Sequence, residues 1–376
     1  SISMKKENVR KSELTREKQR LLWEDFMEYI QLSFLPTVEG EENNEKAEDN
    51  SQKNLKEKNQ MISERLKNGF DIMALPFLGC NFDSIYPKLA GIIPREQIVF
   101  DSFGQNILIM SEIVCAGICH QMNWDYLRSA LYDKLQEDQN WILPDRLVHI
   151  EEKEVADLFR SYNKPERVRA KERTRIMREI GEWAQTFSSI SSIFLDSSGN
   201  LLSKANVRAN LLLCNSFAID IEEKKMQLLL QKMSSYKRFE GLVAYCQPAI
   251  DYHLIRTYLR RGLLFAKTES AKEYIMNQTA ERKESTVAAV RHLCAELMLD
   301  ICSYSGLNVN CINQIDWHIG RSICLQEKPD CNLEEKESQW LRPYFTTCPF
   351  CDTCAARCGN SDLLEMKEPV YKGSSY

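Results

Sequence analysis

Long apolar runs are missing from this sequence, and so is an apolar segment near its first residue. A membrane-spanning helix requires roughly 18 apolar residues, and a secretory signal peptide requires a shorter apolar core. Residues 1–16 are instead polar and basic. The sequence therefore predicts a cytoplasmic protein without a membrane partner.

Glycine and proline are also scarce, with 14 and 11 residues among 376. The Asn68-Gly69 pair has no alternating strand pattern on either side, which a β-hairpin would require. From residue 71 onward apolar residues recur at helical spacing, and residues 107–122 are almost entirely apolar, as in a helix buried on most sides. These patterns predict an all-α fold.

Composition divides the chain into four segments. Helical apolar spacing predicts an N-terminal helix within residues 1–37. Residues 39–58 carry eleven charged side chains in twenty positions, which predicts a flexible charged linker over residues 38–67. We predict a helical domain over residues 68–323 and a cysteine-rich, metal-binding tail over residues 324–376.

The net charge is −5 and the pI is about 5.8, so the whole protein lacks the positive field typical of nucleic-acid-binding proteins. One local exception is the run Arg160–Arg178, which contains eight basic and two acidic side chains. Such a run is often a solvated helix face, and otherwise it binds phosphates. The solvated face is the favoured interpretation, and under the other one the partner is a nucleotide 5′-phosphate or the backbone of DNA or RNA.

Two segments share a pattern of acid, aromatic residue and histidine. They are Asp251-Tyr252-His253, with Arg256 three residues later, and Asp316-Trp317-His318. Both patterns are typical of the start of a helix, where backbone N–H groups and the helix dipole stabilise a carboxylate. A helix cap alone would explain either aspartate, and the repetition of the pattern favours a functional site.

A third polar stretch lies at the end of the apolar helix predicted over residues 107–122. It contains His120, Gln121, Asn123, Trp124 and Asp125. Such side chains can hydrogen-bond the edge of a nucleobase, and the indole can stack on its face. The alternative is an ordinary junction between helices that is capped by Asn123.

The sequence has 14 cysteines, and in a reducing compartment their clusters are interpreted as metal ligands before disulfides. Cys348, Cys351, Cys354 and Cys358 have the spacing C-x2-C-x2-C-x3-C, and Cys324 and Cys331 are further candidate ligands. The run resembles a ferredoxin cluster motif. We expect a structural zinc ion or [4Fe–4S] cluster in the tail, and zinc is slightly favoured.

These features occur in an order that resembles the helical DNA glycosylases of the helix-hairpin-helix superfamily and, most closely, the queuosine-salvage nucleotide N-glycosylases. The resemblance rests on the apolar helix ending in residues 120–125, on both Asp-aromatic-His segments, and on residues 155–159 followed by 165–167. It implies a helical fold with the substrate base in a cleft between helices. Asp251 would be the reacting acid, and Asp316 a second acid that contacts sugar or base.

Two departures from the superfamily narrow the expected activity. No Gly-hydrophobic-Gly turn precedes a helix, which argues against gripping of duplex DNA. No convincing lysine stands where bifunctional members carry one, since that region is Lys204–Arg208, and this argues against Schiff-base chemistry.

Cleavage of an N-glycosidic bond develops positive charge on the sugar, and a fixed carboxylate stabilises that charge, activates a water, or does both. We therefore expect a monofunctional N-glycosidase that acts on a modified, queuosine-like nucleoside or nucleotide, or on a modified base in nucleic acid. The alternatives are a DNA glycosylase of repair or antiviral defence, a non-catalytic nucleic-acid-binding module, and an iron–sulfur redox protein.

Overall fold

The computed structural model describes residues 60, 69–73, 82–220, 222–282 and 284–373. The N-terminal helix predicted within residues 1–37 lies outside the described residues. So does the linker predicted over residues 38–67, apart from Gln60.

The described residues are mostly helical, which confirms the predicted all-α class. In chain order the helices are α1 (Phe82–Ala90), α2 (Gln105–Ile118), α3 (Trp124–Glu137), α4 (Pro144–Leu147), α5 (Glu152–Leu158), α6 (Ala170–Gln185), α7 (Lys204–Leu212), α8 (Asn215–Ala218), α9 (Lys224–Met233), α10 (Tyr252–Arg260), α11 (Glu269–Met276), α12 (Glu284–Ser305) and α13 (Val309–Ser322). Shorter 3-10 segments lie at Gln139–Ile142, Pro165–Arg167, Ile190–Ile193, Lys237–Tyr245, Lys336–Leu341 and Ser361–Glu365. Strands β1 (Phe70–Ile72) and β2 (Leu264–Ala266) form one antiparallel pair, with Phe70 opposite Ala266.

The chain divides into two compact units. Of the described residues, the first unit comprises those up to residue 94 and those from 250 to 371, and the second comprises those from 95 to 249 together with 372 and 373. The residues predicted as one helical domain are therefore divided between the units, and most of the predicted tail belongs to the first. Among the described helices, none is long and apolar enough to cross a membrane.

Helix α2 forms much of the core of the second unit. Every residue from Ile107 to Ile118 is buried, as its apolar sequence predicts, and the helix packs against α6 and α9. Its buried Glu112 accepts two hydrogen bonds of 2.7 Å from Arg128 and one of 2.6 Å from the Tyr236 hydroxyl. A buried carboxylate is tolerated here because both of its oxygens have donors.

Helices α10 and α13 cross closely in the first unit, at Gly320. A β-carbon at this position would lie 2.6 Å from the carbonyl oxygen of His253 and 2.8 Å from Thr257 Oγ1. Only glycine at this position permits α13 to lie so close to the backbone of α10. Helices α1 and α12 pack against α13, and α12 also packs against α10. The crossing brings the start of α10 beside the C-terminal half of α13.

Candidate functional site

Asp251 lies immediately before α10 and caps its N-terminus. One carboxylate oxygen accepts hydrogen bonds from the backbone N–H groups of His253, at 2.9 Å, and Leu254, at 3.2 Å. The other accepts a hydrogen bond of 3.1 Å from Trp317 Nε1. Asp251 is 8% exposed, so three donors hold a carboxylate that keeps a small accessible surface.

Aromatic rings from both Asp-aromatic-His segments surround this carboxylate. The indole of Trp317 lies edge-on to the His253 ring at 6.1 Å between centroids, and Tyr252 lies 4.3 Å from the same ring. The His318 ring lies 5.0 Å from Trp317. All four side chains are half-buried. The structure therefore brings together two segments that are 66 residues apart in sequence.

Arg256 points into the interior of the first unit. Its Nε donates to the carbonyl oxygen of Cys324 at 2.7 Å, and its Nη1 pairs with Glu368 at 2.6 Å. Its Nη2 lies 2.8 Å from His253 Nδ1 and donates to the carbonyl oxygen of Gly320 at 3.1 Å. Because the side chain is only 2% exposed, it holds His253 and joins α10 to the end of α13.

The prediction that Asp316 lies at the start of a helix is wrong. Helix α13 begins at Val309, and the Asn308 side chain caps it by accepting a hydrogen bond from the Cys311 N–H at 3.0 Å. Asn308 can take the capping role because its side-chain oxygen reaches the free N–H groups of the first turn. Asp316 therefore lies about two turns inside the helix.

Asp316 is fully buried and takes part in a polar cluster. It accepts hydrogen bonds from the hydroxyls of Tyr86, at 2.7 Å, and Tyr258, at 2.5 Å, and it pairs with Arg261 at 3.4 Å. The signal for this cluster is absent from the sequence, since Tyr86 and Asp316 are 230 positions apart. Sequence reasoning missed both tyrosines.

Burial dominates the ionisation of this cluster. It raises the pKa of Asp316, although Arg261 and the two hydroxyls act in the opposite direction. Burial, together with the neighbouring Asp316 charge, also raises the pKa of Tyr86 and Tyr258 well above the ordinary value. Both tyrosines are therefore protonated donors. Asp316 has no exposed surface with which to meet a substrate.

The polar stretch 120–125 belongs to the second unit. His120 is fully buried, and its Nε2 lies 3.6 Å from Glu172 Oε2, which is beyond hydrogen-bonding distance. Burial lowers the pKa of His120 to about 3. Arg173 donates to its backbone carbonyl oxygen. His120 is therefore a neutral interior residue of this unit.

The other residues of this stretch form a helix junction. Gln121 has a left-handed backbone with φ of 55°, and Asn123 caps α3 by accepting from a backbone N–H at 3.0 Å. Trp124 Nε1 donates to Glu96 at 2.8 Å, and Asp125 lies exposed in the first turn of α3. These contacts agree with the alternative interpretation, an ordinary helix junction capped by Asn123. A role of these residues in binding a base stays a prediction.

The basic run Arg160–Arg178 does not form a continuous positive face. Arg173 is fully buried and donates to backbone carbonyls, while Arg169 pairs with Glu172 at 2.7 Å and Arg175 with Glu179 at 2.6 Å. An open groove of about 1130 Å³ follows α6, and its charged lining residues are Arg169, Lys171, Arg175, Arg178, Glu152, Glu172, Glu179 and Glu182. Four basic and four acidic groups thus share it.

A cavity of the first unit contains most of the candidate metal ligands. Its lining cysteines are Cys324, Cys331, Cys348, Cys351 and Cys354. Cys358 is not among the lining residues, and its Sγ lies 3.5 Å from the carbonyl oxygen of Cys351 and 3.4 Å from that of Asp352. Within the described ranges, no group of three or more His, Cys, Asp or Glu side chains is arranged to hold a metal ion. The metal site therefore stays a prediction.

Most of these thiols have shifted pKa values. Burial raises the pKa of Cys354 to about 12 and that of Cys331 to about 11. A hydrogen bond from Cys348 lowers the pKa of Cys351. Because metals bind thiolates, occupancy of this cavity would release protons.

Comparison with known proteins gives no family for this chain. It matches no protein-family model, and no curated protein matches it.

Proposed function

We propose that the protein is a monofunctional N-glycosidase in which Asp251 is the reacting carboxylate. The observation that supports this most directly is the 3.1 Å contact between Trp317 Nε1 and Asp251 Oδ2. It gathers both Asp-aromatic-His segments around one partly accessible acid. The resemblance to the queuosine-salvage N-glycosylases assigns the same role to Asp251.

The proposed reaction is hydrolysis of an N-glycosidic bond. A water oxygen forms a bond to the anomeric carbon, the carbon–nitrogen bond breaks, and its electron pair leaves with the base. Asp251 accepts a proton from the water, and its charge stabilises the positive charge that develops on the sugar. The leaving base takes up a proton from solvent. No step uses a lysine Schiff base.

The surrounding side chains suit recognition of a nucleobase. The rings of Tyr252, Trp317 and His318 are half-buried, and partly accessible aromatic rings are suited to stacking on a base. Asp316 takes a positioning role in this proposal. It holds Tyr258 of α10 from within α13, and this contact stabilises the crossing that places Trp317 against Asp251.

We further propose a modified nucleoside or nucleotide of the queuosine kind as substrate, in preference to a polymer. The net charge of −5 and the mixed charges along the α6 groove offer little attraction to a nucleic-acid backbone. The absence of a DNA-gripping turn in the sequence points in the same direction.

The test is base release from a matched panel. Free modified nucleosides, their 5′-monophosphates, a single strand and a duplex that carry the same base are incubated with the full chain, and affinity is measured at several salt concentrations. We expect release from nucleoside or monophosphate with a shallow salt dependence, because at most one phosphate is bound. Release from duplex DNA alone, with a steep salt dependence, would identify a DNA glycosylase. Inactivity on the whole panel, with retained strand binding, would identify a binding module.

A further inference from the structure

We propose that the cavity lined by five cysteines binds an iron–sulfur cluster, and that Cys358 is not a ligand of this cluster. This inference is independent of the chemistry at Asp251. Three parts of the chain supply the thiols: Cys324 follows the end of α13, Cys331 lies in the next loop, and the others belong to the tail. A backbone hydrogen bond of 2.8 Å from Cys348 to Cys331 holds the loop and the tail together.

The position of Cys358 outside the cavity lining favours a cluster over zinc. In the ferredoxin run C-x2-C-x2-C-x3-C the fourth cysteine binds a different cluster, so the first cluster needs a ligand from elsewhere in the chain. Here Cys348, Cys351 and Cys354 line one cavity and Cys358 does not. Cys324 and Cys331 supply the distant thiols. Zinc sites usually combine pairs with shorter spacing than these two cysteines have.

A buried positive charge beside the thiols also requires an anion. Arg260 is 1% exposed and donates to the carbonyl oxygens of Leu325, Gln326 and Met366 and to Cys324 Sγ at 3.7 Å. In the part of the chain that the structure describes, no carboxylate lies within ion-pair distance of Arg260. The three carbonyl oxygens satisfy the N–H groups of Arg260 but do not neutralise its charge, and an uncompensated buried charge is unfavourable. A thiolate-bound cluster carries net negative charge and would compensate Arg260.

Thr257 lies beside the cavity, and its Oγ1 faces Gly320 at the crossing of α10 and α13. It is fully buried and lines the cavity, and its Oγ1 has no hydrogen-bond partner among the described residues. An unsatisfied buried hydroxyl is unfavourable by about 1–3 kcal/mol. Rotation of this side chain toward the cavity would let a cluster or cysteinyl sulfur accept a hydrogen bond from the hydroxyl.

The experiment begins with the full chain purified without oxygen. We expect iron and acid-labile sulfide in equal amounts, about four of each per chain for a [4Fe–4S] cluster, together with broad visible absorbance. Chain freed of metal by a chelator should regain the absorbance when ferrous iron and sulfide are added. One zinc per chain without sulfide, or no metal after purification and reconstitution, would overturn the proposal.

Single cysteine-to-serine variants then identify the ligands. Serine at four of the five cavity cysteines should reduce iron content at least several-fold, whereas the matched control Cys358→Ser should retain it. Circular dichroism checks that each variant is folded. Where a variant is not folded, the iron and sulfide content of the parent protein tests whether a cluster is bound. Loss of iron in Cys358→Ser, with full iron in both Cys324→Ser and Cys331→Ser, would show that the ligand set is the tail run instead.

Discussion

The two Asp-aromatic-His segments share a sequence pattern, yet the fold gives their aspartates opposite surroundings. Asp251 precedes a helix, keeps 8% of its surface exposed, and is held by N–H donors. Asp316 lies within a helix, has no exposed surface, and is held by two tyrosine hydroxyls and Arg261. The position of Asp251 is suited to a reacting group, whereas that of Asp316 is suited to a residue that stabilises helix packing.

The difference comes from where the helix begins and from what packs against it. Asn308 caps α13 well before Asp316, so the aspartate falls on an inner turn of the helix. The close approach at Gly320 then brings α10 against that helix. A local pattern therefore indicates that a carboxylate is present, while helix packing decides whether water and substrate can reach it.

The largest expected effect on stability is that of Asp316→Asn. The substitution leaves Arg261 buried without its charged partner, and breaking such a pair lowers the free energy of unfolding by about 3–5 kcal/mol. Urea unfolding at neutral pH measures it. The control is Asp138→Asn, an exposed helix-capping aspartate expected to change stability by less than about 1 kcal/mol. If Asp316→Asn lowers stability no more than Asp138→Asn does, Asp316 does not stabilise the fold in the way that distinguishes it from Asp251.

Asp251→Asn should act on the rate instead. Loss of the charge from the reacting centre should lower single-turnover base release by about two to three orders of magnitude. The fold should be kept, because the amide oxygen can still accept from the N–H groups of His253 and Leu254. Rate and unfolding are measured on the same preparation. Undiminished release by this variant would show that Asp251 is only a helix cap.

A buried histidine extends the comparison to the second unit. Burial, assisted by Arg173 and Lys225, lowers the pKa of His120 to about 3, below the ordinary value of about 6.5. Between these values the unfolded chain binds a proton that the folded chain does not, so stability falls as pH is lowered. The slope contributed is at most about 1.4 kcal/mol per pH unit.

His120→Gln should therefore flatten the dependence of unfolding free energy on pH between about 6 and 4. The exposed His149 provides the control, and His149→Gln should leave the parent slope in place. If the unfolding free energies of the parent and of His120→Gln depend on pH with the same slope, His120 is accessible to solvent. The predicted role of residues 120–125 in binding a base would then be favoured again.

The smallest expected effect is that of Trp317→Phe, which tests the contact between the two segments. The ring is kept while the Nε1 hydrogen bond to Asp251 is lost, so base release should slow by about tenfold, equivalent to about 1.4 kcal/mol. Trp183→Phe in the second unit also removes an indole hydrogen bond, of 2.9 Å to the carbonyl oxygen of Asn210, and should leave release unchanged. If the two variants behave alike, the Trp317 contact does not position the carboxylate.

Several features could be predicted because they depend on neighbours in sequence. The helical class follows from the 3.6-residue spacing of apolar side chains, and the burial of Ile107–Ile118 follows from an almost unbroken apolar segment. Caps by Asn123 and Asp251 were also predictable, since a capping side chain reaches only the N–H groups of the next turn.

Other features were decided only by contacts between distant residues. Tyr86 meets Asp316 across 230 positions, and Cys324 and Cys331 line the same cavity as the tail cysteines. Arg173, which the sequence places in a basic run, is buried by its bonds to backbone carbonyls. Sequence spacing thus determined which groups the helices carry, and tertiary packing decided which of them are buried, because burial depends on the elements that cover a side chain and not on its neighbours in the chain.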